Sequence, residues 1–233
     1  GAQAVSLSGL FKNSLIEAID ISSSSLAYAK RKAEEFNIKN INFSKFDILD
    51  LENLNDKYDY IECSGVLHHM EEPEKGFRIL INSLNINGII KIGLYSSTAR
   101  YHINKAREFL KSKNIKFSLE QLRDFRNKVI EKNPSHREFE KLLSNSDFYS
   151  TSECRDLIFH IQEKQYDLLE IKTLLNKFSL KFAGFDFSNQ YTQQHFKERF
   201  PEKNSEYYLD NWKIYEKENV NTFIGMYNFF LIK

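Results

Sequence analysis

Two short apolar runs that each close on an aspartate, with one helix-length of chain between them, limit what this sequence can become. Residues 15–20, Leu-Ile-Glu-Ala-Ile-Asp, read as a buried strand ending at Asp20. Residues 41–46 read as a second strand, closed by Asp47. Between them, the serines at 22–25 supply N-cap chemistry for a helix over 26–36, apolar on one face and rich in Lys and Glu on the other. A further helix is expected over 5–11. A third strand is predicted over 58–64, a helix opened by Pro73 over 73–84, a turn at 85–88 and a strand over 89–95. Strands and helices alternating at this rhythm predict an α/β fold, a doubly wound and mostly parallel sheet with right-handed crossovers.

The texture changes after Tyr95. Residues 98–145, 151–159 and 168–178 read as helices without strand signals, and sheet character returns at 180–187 and 222–232. The expected division is a core over 1–97, a helical insertion over 98–178 and core-completing strands over 179–233. The stretch between the last two strands, with Trp212 and several tyrosines, is expected to be partly helical.

Composition excludes several classes. Charges of both signs nearly cancel at +1, so no field directs the chain to nucleic acid or to a membrane. No run of about 18 apolar residues is present. The start lacks the basic and apolar regions of a secretory signal. The two cysteines, Cys63 and Cys154, have no metal-ligand spacing, and no metal is expected. A reducing cytoplasm is the default location.

Ligands of an open α/β sheet bind at the carboxyl ends of its strands. The Asp20 carboxylate can accept both hydroxyls of a ribose, or it can belong to the cap of the next helix. Asp47 can accept from the exocyclic amine of an adenine, or it can simply start a turn. The succession Glu-Ala-Ile-Asp-Ile-Ser, Phe-Asp-Ile-Leu-Asp, Tyr-Asp-Tyr-Ile-Glu and Gly65-Val66-Leu67-His68-His69-Met70 resembles the class I S-adenosylmethionine-dependent methyltransferases. Asn-Ile-Asn-Gly-Ile-Ile-Lys-Ile-Gly, ending at Gly93, is similar to that family's turn into its fifth strand. The resemblance implies a Rossmann-like sheet with an antiparallel last strand at 222–232 and S-adenosylmethionine as methyl donor. It further implies Asp20 and Ile21 at the ribose, Asp47 and Ile48 around the adenine, and Ser64, Gly65, Val66 and Leu67 near the methionine half. The family's first strand and most of its glycine-rich turn are expected upstream of residue 1, with Gly1 either the last glycine of that turn or a remnant of cloning.

His68 and His69 have two readings. They belong to a packed turn around the donor, or one is a general base titrating near neutral pH. Adjacent histidines do not readily share one metal. The segment from Asp147 to Asp156 is the densest polar and aromatic cluster of the insertion. In one reading Thr151 or Ser152 caps a helix. In the other the segment is an acceptor wall, with Tyr149 in a catalytic place and Glu153, Arg155 and His160, together with Tyr95, on the acceptor side. Phe-Tyr-Ser-Thr-Ser-Glu-Cys-Arg-Asp is similar to a segment of bacterial methyltransferases, some joined to tetratricopeptide repeats, so a fused or partner repeat domain is expected. The acceptor is a small molecule or a protein, attacked by direct displacement. Two rivals remain: a non-catalytic module of truncated methyltransferase fold, and a nicotinamide-dependent oxidoreductase. The His-His turn and a reversed last strand speak against the second.

Overall fold

In the computed structural model, which describes residues 2–159, 163–187 and 189–233, the alternation of strand and helix is realised element by element. The chain divides into two compact units, residues 1–58 with 74–85 and residues 59–73 with 86–233.

The first unit holds α1 (Ala2–Leu10), β1 (Ile16–Asp20), α2 (Ser23–Glu35), β2 (Ile41–Lys45) and most of α3 (Pro73–Asn82). β1 and β2 run parallel, in register from Ile16 opposite Ile41 to Asp20 opposite Lys45. α1 and α2 pack on this pair and on each other, and α2 turns Ala29 and Ala33 inward. The cap of α2 is Ser22, whose hydroxyl accepts from the Ser25 amide. Three serines therefore fill the first turn of α2, and the helix starts earlier than its apolar stripe suggests. Asn40 closes the turn between α1 and β1 by donating to the carbonyls of Phe11 and Ser14, each at 3.0 Å. Such bonds pin the loop that follows the helix.

The second unit carries the larger sheet. β3 (Tyr58–Ser64), β4 (Leu84–Tyr95), β5 (Lys181–Phe185) and β6 (Met226–Ile232) lie in the order β3–β4–β6–β5. The first residues of β3 and β4 belong to the other unit. β6 is antiparallel to both β4 and β5, so the reversed last strand is present and begins at Met226. The strands thus form two sheets among the described residues, where one was expected. β4 also begins earlier than predicted. The Asn85 to Gly88 stretch is part of the strand although Asn87 takes the left-handed conformation, φ 63°, a local irregularity that asparagine tolerates.

Side chains alternate across this sheet. Ile90, Ile92 and Leu94 of β4 and Tyr227, Phe229 and Leu231 of β6 are buried on one face. The other face of β4 presents Lys91, Gly93 and Tyr95. Lys91 bridges Glu62, at 3.1 Å, and Asp186, at 2.8 Å. An alanine Cβ at Gly93 would stand 2.2 Å from Ser64 Oγ and 2.8 Å from Asn228 Oδ1, so glycine is required there for close approach.

The helical stretch comprises α4 (Tyr101–Ser112), α5 (Leu119–Ile130), a 3-10 segment (Pro134–Ser144) and α6 (Thr151–Phe159), followed by α7 (Leu168–Lys177). It builds its own core from residues such as Leu110, Leu122, Phe125, Phe139, Phe148 and Leu157. α7 opens on a capping box formed by Asp167 and Glu170. Between β5 and β6 lie α8 (Tyr191–Arg199) and α9 (Leu209–Glu218), where Trp212 stacks on Phe196 at 3.6 Å. Among the described residues no helix is long and apolar enough to cross a membrane.

Candidate functional site

The carboxyl ends of β1 and β2 bring Asp20 and Asp47 to one edge of the first unit. The Phe46 amide still bonds the Asp20 carbonyl at 3.1 Å, so the parallel ladder reaches both acids. Asp20 does not cap α2. Its Oδ1 accepts from the Ser22 amide at 2.8 Å, which leaves Oδ2 without a partner among the described residues. Ile21 beside it is exposed. Asp47 caps the short 3-10 helix Ile48–Asn53 through Oδ1, which accepts from the Leu49 amide at 2.9 Å. The turn-starting reading of Asp47 therefore holds, and its second oxygen has no partner among the described residues. Ile48 is half-buried behind it.

In the second unit β3 ends at Ser64 and the chain reverses at Gly65, whose φ of 76° suits glycine. Val66 is exposed, Leu67 is buried, and the 3-10 turn Leu67–His69 follows. His68 is wholly buried, and its ring stacks on Tyr95 with centroids 3.7 Å apart. Neither ring nitrogen makes a hydrogen bond of acceptable geometry. Burial, helped by the neighbouring charges of His69 and Arg100, pushes the imidazole down to about 3; Glu163 and the nearby Gly93 carbonyl offset this only in part. His68 is thus a neutral imidazole at pH 7 and a weak proton acceptor. His69 is half-buried and meets Tyr95 edge-on, at 5.6 Å.

The Arg100 guanidinium lies over the same Tyr95 ring, 3.7 Å from its centroid. Two groups this close to one centroid must take opposite faces, so Tyr95 is held between His68 and Arg100. Arg100 is held in turn by Glu163, through Nε at 2.7 Å and Nη2 at 2.8 Å. Arg107 donates to Glu163 at 2.8 Å and to the Leu157 carbonyl at 3.1 and 2.7 Å. Burial works against the Glu163 charge, but Arg107, Arg100 and Gln165 outweigh it and hold the carboxyl below its usual range.

Glu163 begins a strap of extended chain along the end of β4. The strap's Lys164 amide donates to the His68 carbonyl at 2.8 Å and its Tyr166 amide to the Tyr95 carbonyl at 2.8 Å. The Ser97 amide donates back to Tyr166 at 2.9 Å, completing a parallel bridge. Asn104 and Gln165 exchange two side-chain bonds. Nothing in the sequence marks this cluster. Arg100, Arg107 and Glu163 lie among many interleaved charges, and only the fold pairs them. Below it, Glu216 is buried, accepting from Tyr227 at 2.7 Å and Ser96 at 3.3 Å, and burial raises its carboxyl.

Most of the Asp147 to Asp156 segment lies on the insertion's surface, with Phe148 and Cys154 turned into its core. Tyr149 is exposed, its hydroxyl donating to the Leu143 carbonyl at 2.9 Å. The helix begins at Thr151, so the cap position falls to Ser150 rather than to Thr151 or Ser152. Glu153 is exposed, and Arg155 lies 4.7 Å from the centroid of the Phe117 ring. A shallow groove of about 510 Å³ is lined by Phe117, Leu119, Thr151, Ser152 and Arg155, and neither Tyr149 nor Glu153 is among its lining residues. Tyr95 sits instead with His68 and Arg100. Gly1 and His160 lie outside the described residues. Cys63 and Cys154 are both buried, which pushes their thiols up to about 12 and about 11. Among the described residues no group of three or more His, Cys, Asp or Glu side chains is placed to hold a metal ion.

Comparison with known proteins follows the same lines. The family described as a methyltransferase domain matches residues 3–222. An uncharacterized protein of Synechococcus sp. is 28% identical over 183 residues, which are 73% of this chain and 42% of that protein. The chain spans less than half the length of this and of a second curated relative, an uncharacterized protein of Rickettsia prowazekii. Among solved structures, PKMT2 from Rickettsia typhi in complex with AdoHcy aligns with a TM-score of 0.67 at 18% identity, over 96% of this chain and 45% of its own. Magnesium protoporphyrin IX methyltransferase from Synechocystis PCC 6803, with bound SAH, aligns with a TM-score of 0.53 at 14% identity, over 100% of this chain and 69% of its own. At these identities the structures share the fold.

Proposed function

The chain belongs to the methyltransferase-domain family, and on that premise we propose that it takes part in S-adenosylmethionine-dependent methyl transfer by direct displacement. The observation that carries the reading is Asp20. It ends a parallel strand, one oxygen is fixed by the Ser22 amide, and the other is unspent. A carboxylate so held accepts ribose hydroxyls without having to order itself first. Asp47, at the neighbouring strand end, keeps one oxygen for an adenine amine, with Ile21 and Ile48 as the apolar residues beside the two acids. Ser64, Gly65, Val66 and Leu67 are assigned the methionine half.

When bound, the cofactor supplies a methyl group on a sulfonium that already contains the leaving group. What remains for the chain's own residues is orientation and exclusion of water. His68 serves as a neutral ring that fixes Tyr95, and the proton-accepting role is assigned to His69. The helices of residues 98–178 are assigned the acceptor side.

Calorimetric titration with S-adenosylhomocysteine tests the reading, with NAD as the control ligand. Binding of S-adenosylhomocysteine and not NAD is expected, weakened about tenfold to a hundredfold in Asp20→Asn, the worth of a charge-assisted hydrogen bond. A folded chain that binds neither ligand, or an Asp20→Asn variant that binds as the parent does, removes the proposal.

A further inference from the structure

Arg100 has more hydrogen-bonding capacity than the protein around it uses. Its side chain is 5% exposed, and a buried guanidinium normally places its donors on partners. Nε and Nη2 are both committed to Glu163. The trigonal geometry of the guanidinium then directs Nη1 away from Glu163, and Nη1 has no partner among the described residues. It is not sealed off either. The fully buried polar side-chain atoms without partners, among the described residues, are the two nitrogens of His68 and Glu216 Oε2. The Tyr95 hydroxyl is in the same condition, on a half-buried residue and without a hydrogen-bond partner among the described residues. Because the guanidinium lies 3.7 Å from the centroid of the Tyr95 ring, its free nitrogen and that hydroxyl fall within the span of one small group.

Charge points the same way. Arg100 and Arg107 share the single carboxylate of Glu163, whose side chain is 2% exposed. The cluster therefore keeps one positive charge in excess. The other acid whose charge reaches Tyr95 is Asp147, which is exposed and makes no bond to either arginine. Buried charges are ordinarily paired, and here both Arg100 Nη1 and Arg107 Nη1 lack a partner among the described residues, Arg100 being the arginine that lies over Tyr95.

We propose that Arg100 Nη1 and the Tyr95 hydroxyl anchor a carboxylate on the methyl acceptor. The inference rests on the methyl-transfer reading and narrows its substrate class to acceptors that carry an acid group. Glu163 acts here as a positioning residue, since it fixes the guanidinium plane against Tyr95 and leaves Nη1 as the outward donor. A carboxylate fits the pair because its two oxygens can take one charged donor and one phenolic donor together. His69, edge-on to Tyr95, stands next to the same anchor.

The test is a titration of the chain, with and without S-adenosylhomocysteine, by three probes of one shape class: benzoate, benzamide and phenyl phosphate. Benzoate is expected to bind, with benzamide weaker by about tenfold or more, the worth of one charged hydrogen bond. Arg100→Gln is expected to abolish the preference for benzoate while S-adenosylhomocysteine affinity stays within about twofold. Tyr95→Phe keeps the ring between His68 and Arg100 and removes only the hydroxyl. It should weaken benzoate several-fold, by about one neutral hydrogen bond, with an unchanged melting temperature. Equal binding of benzamide, or benzoate binding that survives both substitutions, overturns the assignment. Phenyl phosphate binding in place of benzoate overturns the carboxylate choice. Benzoate binding that depends on Arg100 in a chain that does not bind S-adenosylhomocysteine would sink the cofactor reading and leave the anion site standing.

Discussion

Replacing Glu163 by glutamine removes one charge and little volume from the point where the strap meets β4. Oε1 accepts from Arg100 Nε at 2.7 Å and Gln165 Nε2 at 2.8 Å; Oε2 accepts from Arg100 Nη2 and Arg107 Nη2, each at 2.8 Å. Whichever end becomes the amide, two donors then face a donor. Removing one partner of a buried ion pair costs about 3–5 kcal/mol. Arg107 is 19% exposed and keeps its two bonds to Leu157, so the lower end applies, about 3 kcal/mol. For a chain of this size that corresponds to roughly 6–12 °C in melting temperature. Trp212, the single tryptophan, lies in the second unit, so its fluorescence in urea reports the unfolding of that unit. The sign with pH is fixed by the depressed carboxyl. Its stabilisation is present above the unfolded value, near 4.3, and is lost as pH falls through the folded one. Parent and Glu163→Gln should therefore differ fully at pH 7 and converge below about pH 4. A difference under about 1 kcal/mol at pH 7, typical of a surface pair, would refute the reasoning. So would one that does not shrink in acid.

Two further outcomes are expected. Gly93→Ala should destabilise by about 1–3 kcal/mol through overpacking, and Ser64→Gly in the same chain should recover part of the loss, because Ser64 Oγ and Cβ lie 2.2 and 2.9 Å from the added carbon. Additive effects in a denaturation cycle would show that the close approach is not the cause. Glu216→Gln keeps an acceptor for Tyr227 and Ser96 and has no charge to bury. Burial raises the Glu216 carboxyl, so its favourable contribution exists at low pH and fades as pH rises through the folded value. The variant should match the parent near pH 4 and exceed it at pH 8; a parent more stable at pH 8 contradicts the assignment.

The strands closing on Asp20 and Asp47 were legible because a buried strand needs an unbroken apolar run and the acid that ends it is a sharp boundary. The helix over 168–178 and the last strand were legible for similar reasons, being strong local patterns, while the reversal of that strand came from the family resemblance alone. Local pattern failed where residues far apart in sequence decide the outcome. The cap among the serines at 22–25 was legible and falls at Ser22, while the start of the helix was placed three residues late. The separation of the strands into two sheets depends on pairing that no single segment encodes. Arg100 and Glu163 are 63 residues apart, and each resembles the dozens of solvated charges around it. Tyr95 could be placed at a strand end from sequence, but not between His68 and Arg100.

The strap has a consequence for how this protein can change. Ser97 and Tyr166 are hydrogen-bonded, and Arg100 grips Glu163. The excursion between Arg100 and Glu163 therefore leaves the sheet and returns to it at one place. It also buries its own apolar residues. For a segment whose ends are already clasped, added or deleted residues alter the closing entropy only logarithmically and leave strand register untouched. The helical stretch is in effect an exchangeable cassette on a fixed socket, free to be reshaped while Tyr95 and the strand ends stay where they are.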